Sequence, residues 1–155
     1  MHSGSMSGNF LTAIHLMGYL AYRQDRDTLV TSDELAGTIR LNPVVVRRLI
    51  SRLREAGLVD TVRGKAGGFR LNRPAADIDL LSIFTAIEGE NPDLFSLGTM
   101  DKRAGCSPIA DSIQYTVDNI LQQSLQKMKN ELANHSLDGV LDAALGRLGM
   151  ARKNQ

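Results

Sequence analysis

The span VRGKAGGFRL, residues 62–71, carries three glycines and three cations, Arg63, Lys65 and Arg70, and no acid. Glycine admits positive φ and close backbone approach, and each guanidinium or ammonium adds a flexible positive charge, so the span reads as a bend that reaches for an anion. A second basic segment lies just ahead of it, PVVVRRLISRLREAGL at residues 43–58. Helical spacing there puts Val44, Arg47, Arg48, Ser51 and Arg54 or Glu55 on one side, and Val46, Leu49, Ile50, Leu53 and Ala56 on the other. The chemistry such residues offer is charge-assisted hydrogen bonding to phosphate or to base edges, and no bond making. No nucleophile–base pair or carboxylate cluster stands at a usable spacing, and three scattered histidines with one cysteine do not make a site, so an enzyme is not expected. Gly64, Gly67 and Gly68 lack the strand-to-helix setting and the Lys-Ser/Thr ending of a nucleotide loop.

Positioning those cations takes a small set of elements. NFLTAIHLMGYLAYR, residues 9–23, spaces Phe10, Ile14, Met17 and Ala21 as a buried helix, widened by Leu11, Leu16 and Leu20. After a polar connection, QDRDTLV, a second helix starts at Thr31, with Glu34 closing a capping box. Asn42 as N-cap and Pro43 at the first helical position open the third helix, and Gly57 ends it. LVDTV and GFRL then bracket RGKAGG as a hairpin. Two helices joined tightly, the second rich in outward arginine, followed directly by a basic hairpin, describe a winged helix-turn-helix. Arg63, Lys65 and Arg70 can reach DNA phosphates from its wing or enter a minor groove, and Gly64, Gly67 and Gly68 turn the wing's tip. Asp79 caps a fourth helix that stops at Gly89, and residues 91–105 form a long loop. From Ser107 or Pro108 to about Asn134, Ile109, Ile113, Val117, Ile120, Ser124 and Met128 recur every three or four residues. A helix of that length spans roughly 40 Å, more than the small N-terminal unit covers, so part of its stripe needs another chain. Ser136 caps a last short helix.

The chain has 155 residues, 43% of them hydrophobic, enough for one compact domain with a helical extension. No apolar run approaches the roughly 20 residues of a membrane span and no signal pattern opens the chain, so a cytoplasmic protein without membrane contact is expected. Residues 1–5 read as an expression remnant ahead of Met6. The net charge of +1 conceals a division: residues 1–75 hold 11 Lys/Arg against 6 Asp/Glu, and residues 76–155 hold 7 against 11. Between Arg40 and Arg73 stand nine basic residues opposed only by Glu55 and Asp60. One cysteine, Cys106, makes no internal disulfide and cannot alone hold a zinc or iron–sulfur site, so no metal site and no cofactor are expected.

In order along the chain, SDELA, LISRLREAGLVDTVRGKAGGFRL and DIDLLSIFTAIEG, ahead of a cysteine-bearing loop and a long helix, resemble the Rrf-two family of bacterial winged-helix regulators. The resemblance covers nearly the whole chain. It implies a mainly α fold with a small β wing: a DNA-binding domain at 6–89, a sensor-type loop at 90–106, and a dimerisation helix with a C-terminal helix at 107–150. It further implies a homodimer that binds double-stranded DNA at an imperfect palindrome and represses by promoter occlusion. By that resemblance Asn42, Val44, Arg47 and Arg48 face the groove, Arg63 is the wing-tip arginine, and Thr31 and Ser32 meet the phosphate backbone. Arg47 and Arg48 each suit either a guanine edge or a phosphate. Cluster-binding members carry three cysteines in the loop, whereas this one keeps Cys106 alone and resembles the cluster-free branch. Beside Lys102 and Arg103, Cys106 is either a thiol sensor of oxidants or a bystander, and a small-molecule signal near the dimer helix is the other route to regulation. A winged-helix module that docks proteins without reading DNA is the alternative, which acidic residues on the recognition face would have favoured.

Overall fold

The computed structural model describes residues 6–24, 28–92 and 107–151. Its order is α1 (Met6–Gln24), α2 (Ser32–Ile39), α3 (Pro43–Glu55), β1 (Val59–Val62), β2 (Gly68–Leu71), a 3-10 turn (Ala75–Asp77), α4 (Leu80–Glu88), α5 (Pro108–Ala133) and α6 (Leu137–Arg147). This is the mainly α winged helix-turn-helix with a two-stranded wing that the sequence predicts. The expression remnant and most of the sensor-type loop, with Lys102, Arg103 and Cys106, lie outside the described residues.

Each of the helices α2 to α6 begins where a short polar side chain replaces a missing intrahelical partner. Thr31, Asn42, Asp79, Ser107 and Ser136 accept from the backbone N–H groups of Glu34, Val44, Ser82, Ile109 and Gly139. The capping box at α2 closes on one side only, because the Glu34 carboxylate is engaged elsewhere: it accepts from Tyr19 Oη at 2.8 Å and from Arg23 Nη1 at 2.7 Å, tying α2 to α1. Helix α3 ends in a Schellman motif, with Leu58 N–H on Leu53 O, Gly57 N–H on Arg54 O, and Gly57 at φ +72°.

The core gathers Leu16, Met17 and Leu20 of α1, Leu49 and Leu53 of α3, and Ile83 and Phe84 of α4, all below 2% exposure. Phe10 meets Phe84 edge to face at 5.2 Å between ring centres. Two expected core positions lie outside it. Leu11 is 54% exposed, because the buried face of α1 runs through Ala13, Leu16, Met17, Leu20 and Ala21, and Ala56 is exposed at the cap of α3. Helix α6 packs back against α1, and Leu137, Leu141 and Leu145 join the same core. By contacts it belongs with the N-terminal unit, although the sequence groups it with α5. The anchor is a backbone bridge between Asp79 and Ser136, with Leu80 N–H on His135 O and Leu137 N–H on Ile78 O.

The connection from α1 to α2 contributes more than polarity. Val30 pairs with Phe69 through two backbone bonds of 3.0 and 2.8 Å, so the wing is fastened to the body by a third, one-residue rung.

Between α2 and α3 the chain turns through Arg40, at φ +53° and ψ +46° the sole non-glycine with positive φ among the described residues. A Cβ in that region costs about 1–2 kcal/mol, part of which a glycine returns through its freer unfolded chain. Arg40→Gly is therefore expected to stabilise the fold by about 0.5–1 kcal/mol. Urea unfolding followed by circular dichroism measures it, and an unchanged or lower midpoint counts against strain at this turn.

Candidate nucleic-acid interface

Four apolar residues of α3, Val46, Leu49, Ile50 and Leu53, are buried at 3% exposure or less, which turns the opposite face of the helix outward. On that face Val44, Arg47, Arg48 and Arg54 are exposed. The structure separates arginines that the sequence treats alike. Arg47 has no hydrogen-bond or ion-pair partner among the described residues, whereas Arg48 donates from Nη2 to Asn9 Oδ1 of α1 at 3.2 Å. Arg52 reaches the other way and donates from Nη1 to Ile87 O at the end of α4, at 2.8 Å. Asn9 and Ile87 lie 39 and 35 residues from these arginines, and no local sequence pattern announces either bond.

At the start of α2, Thr31 spends its hydroxyl oxygen on Glu34 N–H at 3.2 Å, while Ser32 is half-buried. The first turn also holds Asp33 and Glu34. Glu34 is neutralised by Arg23 and Asp33 is exposed, so the anion-attracting helix terminus expected from Thr31 and Ser32 is opposed by one carboxylate.

The wing is an antiparallel pair in the register Val59↔Leu71, Asp60↔Arg70, Thr61↔Phe69 and Val62↔Gly68. Its three glycines serve two needs. Gly64 turns the tip at φ +113°, and Gly67 N–H closes on Gly64 O at 3.0 Å. Gly67 and Gly68 are required by close approach: a Cβ would lie 2.3 Å from Val62 O at the first and 2.7 Å from Val30 O at the second. Arg63 and Lys65 stand exposed at the tip without a partner among the described residues, whereas Arg70 lies 3.9 Å from Asp60 across the strands. So exposed a pair is worth about 0–1 kcal/mol and leaves Arg70 able to exchange partners.

Of the apolar stripe on α5, Ile109, Ile113 and Ile120 are exposed at 70%, 59% and 57%; Val117 and Met128 are half-buried, and Ser124 is exposed with its hydroxyl on Ile120 O. Only Leu125 of the whole helix is buried. Helix α5 meets its own chain along α4, and Lys129 Nζ donates to Glu90 O at 2.5 Å.

Residues 6–143 match the model of a family described as Rrf2, iron-dependent transcriptional regulator. The Bacillus subtilis protein YwnA, catalogued under helix-turn-helix transcriptional regulators, is 31% identical over 137 residues, covering 88% of this chain and 97% of its own. A crystal structure of a transcriptional regulator from Lactobacillus plantarum superposes with a TM-score of 0.74 at 28% identity, covering 91% of each chain. The IscR structure from T. potens gives 0.64 at 23% identity over 96% of this chain and 93% of its own, a likeness of fold.

One charge behind the interface is poorly housed. Glu88 Oε1 is buried without a partner, and desolvation raises its carboxyl above the usual 4.5, with the Arg52 guanidinium opposing in smaller part. The folded chain thus holds this proton more tightly than the unfolded chain. The resulting stabilisation is complete below the unfolded pKa and is lost as pH rises through the folded one. Glu88→Gln is expected to raise the unfolding midpoint at neutral pH, with the gap closing as pH falls to about 4. Thermal unfolding across that range checks it, and a gap independent of pH would overturn it.

Proposed function

Because this chain belongs to the Rrf2 family of transcriptional regulators, we propose that it binds operator DNA as a homodimer and represses by occluding promoters. As a member of that family it is a regulator and not an enzyme. The observation that carries the DNA reading is a group of exposed cations without a partner among the described residues, Arg47 and Arg54 on α3 and Arg63 and Lys65 on the adjoining wing. Cations left in water gain nothing for the fold, whereas on a duplex each displaces condensed counterions. Asn42, Arg48 and Arg70 add donors around them, and Thr31 and Ser32 flank the backbone at the start of α2.

The homodimer rests on α5. Its 26 residues extend about 39 Å at 1.5 Å per residue. Three isoleucines more than half exposed along it form a seam that a second copy would cover. No helix among the described residues is long and apolar enough to cross a membrane, which agrees with action on chromosomal DNA in the cytoplasm.

We propose no iron–sulfur cluster here, because one cysteine cannot supply the several thiolates that such a site takes. The chain has one cysteine, and among the described residues no three His, Cys, Asp or Glu side chains lie together. We read the protein as cluster-free, with Cys106, near Lys102 and Arg103 in sequence, as the candidate for a thiol response to oxidants.

Arg63→Ala is expected to weaken duplex binding across sequences and to lower the salt dependence by about one counterion per protomer. Sedimentation should leave the dimer unchanged. Equal affinity and slope in a salt titration would reject the wing contact. Ile120→Glu places a charge in the apolar seam and is expected to yield monomers by analytical ultracentrifugation; a stable dimer would refute the seam.

A further inference from the structure

We propose that Val44 is a specificity residue of α3, seating its isopropyl group against the 5-methyl group of a thymine in the major groove beside the base pair read by Arg47. The inference rests on the DNA-binding reading above and names a base that this reading leaves open. Val44 is 62% exposed, while Val46, two residues on, is fully buried. The fold therefore gains almost nothing from a branched apolar side chain at this position. Asn42 Oδ1 accepts from Val44 N–H at 2.9 Å, which fixes the start of the helix and presents Val44 from its first turn. That is the part of a recognition helix whose side chains contact base edges.

The residues three and four positions on share this face and divide the remaining work. Arg47 has no partner among the described residues and suits the paired acceptors O6 and N7 of guanine. Arg48 is held by Asn9 at 3.2 Å, so its orientation is set from α1 and its remaining N–H groups suit a phosphate. Valine has neither donor nor acceptor and cannot match a hydrogen-bonding edge. The one feature in the major groove that it complements is the thymine methyl, and it opposes the polar edge of a G·C pair by leaving that edge dehydrated and unpaired.

The test starts from a duplex selected by the wild-type protein from a random pool. Each thymine of a half-site is replaced singly by deoxyuridine, which removes the methyl and keeps every hydrogen-bonding group. Each duplex is then titrated with wild type and with Val44→Ala, a change at an exposed site that leaves the core intact. One thymine per half-site is expected at which the replacement weakens wild type about four-fold, the worth of one buried methyl. At that position Val44→Ala, already weaker on the parent duplex, should lose nothing further. Selected half-sites without a required thymine, wild type indifferent to every replacement, or the same loss in both proteins would each overturn the assignment. A pool that yields no enriched duplex would reject instead the DNA-binding reading on which it stands.

Discussion

The outward face of α3 depends on the burial of its inward one. Val46, Leu49, Ile50 and Leu53 leave water almost completely, at about 1.5–3 kcal/mol each, a burial that fixes the rotation of the helix about its axis. Turned by one residue, or about 100°, the helix would lose that burial and its arginines would face the core. Two polar ties add to this constraint, Arg48 to Asn9 from the middle of the helix and Arg52 to Ile87 O from its last turn. Two guanidinium groups thus act as guy-lines for the helix that turns Arg47 outward.

Charge is arranged locally, and the whole-chain balance conceals it. The +1 total says little about partners, while nine cations between Arg40 and Arg73 make a basic surface from a nearly neutral protein. Within that surface the structure sorts cations by whether the fold already uses them. Arg23, outside the stretch, secures α2 through Glu34, and Arg52 and Arg48 are engaged internally. Arg40, Arg47, Arg54, Arg63, Lys65 and Arg73 stand outward without a partner among the described residues. A count of basic residues therefore overstates the cations free to meet an anion.

Much of this was legible in the sequence because it is set by local rules. Caps at Thr31, Asn42, Asp79 and Ser136, proline at the first position of α3 and glycine after its end each report on the few residues around them, and the structure has all of them. The hairpin and its tip were legible for the same reason. What escaped were relations between distant residues. The rung from Val30 to Phe69 gives Gly68 a packing role beyond that of a turn residue. The grip of Arg23 and Tyr19 on Glu34 opens the capping box, and α6 returns to α1 instead of staying with α5. Helical periodicity shows that a stripe is apolar and not what covers it. Leu11 carries the same signal as Leu16, and the first is open to solvent while the second is sealed.

The bond from Asn9 to Arg48 has a practical side. It joins residues 39 positions apart, so a change at Asn9, in a helix that carries none of the outward arginines, would loosen one side chain on the exposed face of α3 while leaving its apolar face in place.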